Sequence, residues 1–298
     1  MSAKPRMARK MIAEGAASVV LREMKIEGLR VDPIEIATRK GIAVEAKPST
    51  VQGVSGMLVK AGDNFGILYA THVSSKGFQK FCVAHELGHY CIEGHANALL
   101  AHGPHYSHAH FTSNDPFEME ADHFAAALLM PEVPFRKEAN RNDPGLTAIE
   151  TLARDCETSL TATAIRYAGL TRDAVAVILS TGPSIDWCFM SEGLKQAKKL
   201  EWIRKGTPVP SGTATESFNA QAENVRLGKK DSSDGRLNDW MGGERVYRIT
   251  EEVVGLGQYG RTLTVLTCET LIAQANGDES DEDGEAELVE SWTPKFRR

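Results

Sequence analysis

The chain has 298 residues, of which 42% are hydrophobic and 25% charged, an ordinary balance that suits two or three packed units and excludes fibrous, collagenous and globally disordered classes. Its formal charge of −6 is uneven: from Gly277 onward eight acidic residues stand against three basic ones, which leaves the remainder near neutral, without the positive field of a protein that chiefly holds nucleic-acid phosphates. The five cysteines, Cys82, Cys91, Cys156, Cys188 and Cys268, are odd in number and form no C-x-x-C pair, so they read as reduced thiols.

The basic start (Lys4, Arg6, Arg9, Lys10) leads into apolar sequence broken by Glu14, Arg22 and Glu23, which makes no signal peptide. The run Phe124–Met130 is far short of the roughly 20 residues of a membrane helix. The expected location is the cytoplasm, with no membrane partner. Helical spacing predicts a first helix over about 8–26, with Ile12, Ala16, Val19, Val20 and Met24 on its apolar stripe. Asp32-Pro33 predicts the cap and first turn of a second helix that runs to Lys40 and ends at Gly41. A strand over Ile42–Glu45 and a hairpin of Val54–Lys60 with Phe65–Ala70 across Ala61-Gly62-Asp63-Asn64 follow. One strand of this small sheet is expected to offer an edge on which an extended peptide segment could pair its backbone.

Phe81-Cys-Val-Ala-His-Glu-Leu-Gly-His-Tyr90 then carries the most specific chemistry. In His85-Glu86-Leu87-Gly88-His89 the H-E-x-x-H spacing puts both imidazoles on one helix face a turn apart, able to share one metal ion. Glu86 sits between them as a carboxylate able to take a proton from water activated by the metal without being a ligand. The surrounding Phe81, Val83, Ala84, Leu87 and Tyr90 predict a buried helix, in which unpaired imidazoles would be costly. Gly88 costs about 1 kcal/mol relative to alanine, which a close approach by another backbone or by substrate would explain. The next segment is rich in histidine (His95, His102, His105, His108, His110) and reads as a polar loop over the site. His95 lies six residues after His89, where H-E-x-x-H-x-x-G-x-x-H peptidases carry a third histidine, but Ile92 occupies the place of their glycine.

The preferred third ligand lies on the helix predicted from Phe117 toward Pro131, whose stripe is Phe117, Ala121, Phe124 and Leu128. Glu118 and Asp122 are four apart and share a face. Glu118 can complete a His₂Glu set, while Asp122 can hold a ligand imidazole in its tautomer. Glu120 points elsewhere and is expected to be solvated.

His85-Glu-Leu-Gly-His89 together with Glu118-Met-Glu-Ala-Asp122-His-Phe-Ala-Ala-Ala-Leu-Leu-Met-Pro131 resembles the ImmA/IrrE family of bacterial metallopeptidases, most firmly from Val54 to Pro131 and more loosely from Leu146 to Arg172. The resemblance implies His85, His89 and Glu118 as zinc ligands, with manganese or iron as possible substitutes, Glu86 as general base, and Asp122 at a position that varies between Asn and Asp in the family. It also implies a site-specific, gluzincin-like metalloendopeptidase whose partner is a helix-turn-helix repressor, cleaved to release stress or mobile-element genes. Two other functions stay open: a DNA-binding regulator with a structural metal site, and a catalytically idle scaffold that binds a partner. A non-ligating carboxylate beside the metal argues against both.

Leu146–Leu170 resembles a helix-turn-helix, with Leu152, Ala153, Leu160, Ala164 and Ile165 as core and Thr161, Thr163, Arg166 and Tyr167 outermost. Arg154 and Arg166 are few cations for phosphate, so packing against the peptidase domain is preferred to direct DNA binding. Val175–Ser180 and Ile185–Met190 read as strands, polar sequence follows to Trp240, and 244–254 with Arg261–Cys268 reads as a hairpin. Gly255-Leu-Gly-Gln-Tyr-Gly260 matches G-x-G-x-x-G but precedes a strand, so it is no dinucleotide loop. The expected fold class is α+β: a zincin-like metallopeptidase domain (1–135), a helix-turn-helix-like region (136–172), a sensory-like α+β domain with a GAF-like fold as candidate (173–274), and an acidic disordered tail (275–298).

Overall fold

The computed structural model describes residues 8–47, 54–72, 75–101, 103–107, 115–197, 199–243, 245–269 and 271. The expected acidic tail, the basic residues Lys4 and Arg6, and His102, His108 and His110 lie outside the described residues.

Helix α1 (Lys10–Glu23) is present, but it turns Ala13, Ala17, Val20 and Leu21 inward, one step round from the expected stripe. Ile12 and Val19 are exposed. The reason is packing distance: two alanines a turn apart let α1 lie close against a later helix, whereas Ile12 and Val19 would hold it off. Helix α2 (Pro33–Arg39) starts where the sequence indicates, with the Asp32 carboxylate accepting from the Ile34 and Glu35 amides. Strand β1 (Ala43–Lys47) follows, then β2 (Gly56–Ala61) and β3 (Asn64–Ala70), whose hairpin turns at Gly62 with φ of 62°. β1 runs parallel to β3, and β2 antiparallel to it. A strand the sequence does not announce, β4 (His105–Ser107), adds to the other side of β2, giving the order β1-β3-β2-β4.

Helix α3 (Lys76–Cys91), capped by the Ser75 hydroxyl, carries the motif. Its side chains Val83, Ala84 and Leu87 pack with Leu58 and Ile67 of the sheet, with Ala17 and Val20 of α1, and with Phe124 and Leu128 of a later helix. After the short α4 (His95–Leu99), that helix is α5 (Pro116–Leu129), started by Asp115 and Pro116. α5 lies between α1 and α3. Gly88 owes its identity to α5: a Cβ there would stand 3.0 to 3.2 Å from the Phe124 side chain. The close approach is thus by an aromatic ring, not by backbone or substrate.

Helices α6 (Glu132–Ala139), α7 (Leu146–Cys156) and α8 (Leu160–Leu170) follow, with Glu157 at φ 56° ending α7. Two residues expected on the outer face, Thr163 and Tyr167, are fully buried, and Arg166 is largely covered, paired with Glu14 at 2.7 Å and donating to the Met130 carbonyl. The cause lies beyond the helix pair. Its core continues through Val175 and Val177 of β5 (Val175–Thr181) into a second sheet, so side chains that would be outermost in an isolated helix-turn-helix become interior.

That sheet also contains β6 (Ser184–Met190), β7 (Lys230–Arg236), β8 (Arg248–Gly255) and β9 (Thr262–Thr267), all antiparallel in the order β6-β5-β9-β8-β7. Its other face packs Ala176, Ile178 and Leu266 against Leu194 of α9 (Glu192–Lys195) and Leu237, Trp240 and Met241 of α12 (Leu237–Met241). The short α10 (Ala214–Asn219) and α11 (Ala222–Arg226) precede β7. β7 falls in the polar sequence before Trp240, for which no strand is expected; Lys-Asp-Ser-Ser-Asp-Gly-Arg has no apolar alternation, and its strand form comes from backbone pairing with β8 along a solvated edge. The Gly255–Gly260 match forms a turn that leads into β9, as its sequence context indicates. Among the described residues no helix is long and apolar enough to cross a membrane.

Candidate metal centre

The site forms where α3, α5 and β4 meet. One turn of helix separates His85 from His89, and burial of the surrounding face turns both rings inward. Their Nε2 atoms lie 3.1 Å apart. From α5, Glu118 places Oε2 3.3 Å from His85 Nε2 and Oε1 3.2 Å from His89 Nε2. The three buried groups offer ligand atoms that all lie within 4.8 Å of one another, and they are the only such set of three or more among the described residues. Tetrahedral zinc with bonds of about 2.0–2.2 Å sets neighbouring donors roughly 3.3–3.5 Å apart. The spacings here come close to that triangle, and a carboxylate with two imidazole nitrogens is a donor set suited to zinc.

Glu86 meets the second requirement of such a site. It is 0% exposed, and among the described residues neither carboxylate oxygen has a hydrogen-bond partner. The Ser107 hydroxyl of β4 stands beside it without closing a hydrogen bond of normal geometry. Gly56 of β2, the residue paired with Ser107, lies so close that a Cβ there would overlap the carboxylate. An unsatisfied buried carboxylate is expensive, and one positioned beside three metal-type donors is accounted for by a cation and its water.

Residues 37–167 match the family model of the M78 peptidases, described as the IrrE N-terminal-like domain. These residues therefore form an IrrE N-terminal-like domain of the M78 peptidase type. The match takes in the whole motif, Glu118, Asp122, and most of the α7–α8 pair. A comparison with curated proteins returned no match. Among solved structures, a Mycobacterium tuberculosis transcriptional regulator is similar at a TM-score of 0.54 and 16% identity, over 90% of this chain and 79% of that one; the likeness is one of fold.

Electrostatics in the M78 domain follow from this crowding. Burial raises the Glu86 carboxyl to about 7, with the His85 charge working against it. Burial alone would lower His85, but hydrogen bonds to Asp122 and Glu118 outweigh it and raise the imidazole to about 10. His89 is pushed down to about 3 by burial, only partly offset by Glu118. Burial would raise Glu118, but its contacts with the His105, His85 and His89 rings hold it well below the ordinary carboxylate range. Cys82 and Cys91 stay outside this chemistry, their thiols pushed up to about 12 by burial.

Asp122 lies where the sequence suggests, its Oδ1 2.9 Å from His85 Nδ1. One expectation changes. Glu120 is not solvated but fully buried, joined to Arg9 and to His95, because α5 is flanked on two sides and has no solvated face at this level. His95, the competing third ligand, stands behind His89 with Nδ1 3.1 Å from His89 Nδ1, on the far side of that ring from the cluster. Sequence reasoning also missed His105, whose Nε2 is 2.8 Å from Glu118 Oε1 and whose ring meets that of His89 edge-on. The signal was the alternation His105-Tyr106-Ser107: strand period two sends His105 and Ser107 to one face, toward the site, and leaves Tyr106 exposed.

Proposed function

We propose that this protein is a zinc-dependent endopeptidase in which His85, His89 and Glu118 hold the metal, Glu86 is the general base and Asp122 orients His85. The observation that carries this reading is the orphaned, fully buried Glu86 carboxylate beside three converging donor atoms. A structural metal site has no use for it. When bound, zinc supplies a Lewis acid that brings the pKa of its water toward 7. Glu86 is then matched to accept a proton at neutral pH and to return it to the leaving amine, and the Asp122 hydrogen bond keeps the Nε2 lone pair of His85 aimed inward. Manganese or iron would serve the same donor set.

Among the described residues β4 is the outer strand of its sheet, and it carries His105 and Ser107 into the site, so its outer edge is the place for an extended substrate segment to pair its backbone. Such pairing is nearly indifferent to sequence, and selectivity calls for binding energy gathered elsewhere. The second sheet, with helices on both faces, supports a separate docking or sensory role, for which a GAF-like fold is the candidate. We therefore assign a narrow protein target, a helix-turn-helix repressor, cut at one bond in the cytoplasm. Direct DNA contact by α8 is disfavoured, since Thr163, Arg166 and Tyr167 are engaged in packing.

The test uses the full chain with Glu86→Gln as a trap in extract of its own cells. Retention of one DNA-binding repressor, which the zinc-loaded wild type cleaves at a single bond, is the expected result. Rapid digestion of casein and other unfolded proteins would overturn the assignment of a narrow target, and failure to cleave any retained protein would overturn the peptidase.

A further inference from the structure

Each ligand imidazole needs its Nδ1 held by a partner if Nε2 is to be the atom that serves as metal ligand. His85 achieves this through Asp122. His89 does so through a longer chain built from three residues the site itself does not use. His89 Nδ1 lies 3.1 Å from His95 Nδ1, and His95 Nε2 lies 2.9 Å from Glu120 Oε2. Both His95 and Glu120 are 0% exposed. Glu120 in turn accepts from Arg9 three times: from its backbone amide at 3.0 Å, from Nε at 3.2 Å and from Nη2 at 3.0 Å. These contacts span 111 residues of sequence.

The directions of these hydrogen bonds are constrained. A carboxylate gripped by a guanidinium and a backbone amide is an acceptor only, so His95 must present Nε2–H to it. A neutral His95 then has a bare Nδ1, which accepts from Nδ1–H of His89. The one nitrogen of His89 left without a proton is Nε2, aimed at His85 and Glu118. We infer that Arg9, Glu120 and His95 form a positioning relay that fixes the tautomer and ring orientation of His89, tying the segment just before α1 to the metal-binding state of α3. The inference rests on His89 being a metal ligand, but its first readout is independent of metal.

In the metal-free full-length protein labelled with 15N-histidine, long-range 1H–15N correlation spectra, assigned with a His89→Gln variant, should show His89 protonated at Nδ1. Glu120→Gln keeps the shape but must turn an amide donor toward either His95 Nε2 or Arg9. It should move the His89 proton to Nε2 in a substantial fraction of molecules and weaken zinc binding by about 10–100-fold. Arg9→Ala, at a side chain 40% exposed and so tolerant of truncation, should act in the same direction with a smaller effect, which keeps the test open if the Glu120 variant does not fold. Asp122→Asn should leave the His89 tautomer unchanged. A wild-type His89 protonated at Nε2, a His95 carrying both protons, or a tautomer and zinc affinity indifferent to Glu120→Gln and Arg9→Ala would each overturn the relay. A wild type that shows the expected tautomer yet binds no zinc would overturn the metal site and leave the relay standing.

Discussion

Replacing Glu86 by glutamine should separate three properties: metal retention, hydrolysis and stability. The carboxylate is fully buried, and no described residue hydrogen-bonds it. Its value of about 7 stands against an ordinary 4.5, a difference equivalent to about 3 kcal/mol, taken at about 1.4 kcal/mol per unit. The raised value means that between about pH 4.5 and 7 the folded, metal-free protein holds a proton that the unfolded chain has released. Stability therefore falls as pH rises through that window and levels off above it. Glutamine has no proton to lose. The metal-free variant should match the wild type near pH 4.5 and exceed it by up to about 3 kcal/mol at pH 8, the gap opening between the two. In the zinc-loaded protein the gap should shrink, since a nearby dication favours the ionised carboxylate. Urea unfolding at four pH values with chelator present, zinc content by elemental analysis and a cleavage assay on the same samples measure all three. Equal stabilities at every pH would refute the desolvation argument, and full hydrolysis by the variant would remove Glu86 from the mechanism.

Glu118→Ala should lower zinc affinity more than any single change behind the ligands, because it removes a donor itself; competition titration against a chromogenic chelator reads it, and near-normal affinity would eliminate the His₂Glu set. Zinc uptake near neutral pH should release a proton, since His85 at about 10 is protonated in the metal-free protein and must be bare to bind; affinity then strengthens as pH rises toward that value, and calorimetry in buffers of different ionisation heat would expose an uptake without release. Gly88→Ala gains about 1 kcal/mol of helix propensity but forces a methyl to within 3.0 Å of the Phe124 ring, overpacking that costs about 1–3 kcal/mol; a net loss of up to ~2 kcal/mol is expected, and Phe124→Leu in the same chain should recover part of it in thermal melts.

Sequence by itself determined the parts of this protein that depend on local spacing. The i, i+4 separations of His85 with His89 and of Glu118 with Asp122 put each pair on one helix face whatever surrounds them, and Asp32-Pro33 and Asp115-Pro116 started their helices because capping involves only neighbouring amides. Only tertiary structure decided which faces had water beside them. Glu120 looked solvated because it points away from the face shared by Glu118 and Asp122, yet α5 lies between α1 and α3, and Arg9, over a hundred positions earlier, supplies its countercharge. Thr163 and Tyr167 looked outermost for a helix pair considered alone, and a second sheet contributed by later sequence made them interior. His105 and Ser107 became part of the site only through pairing with β2, and β7 became a strand only through pairing with β8, because backbone hydrogen bonds to a distant strand leave no periodic trace in so short or so polar a segment.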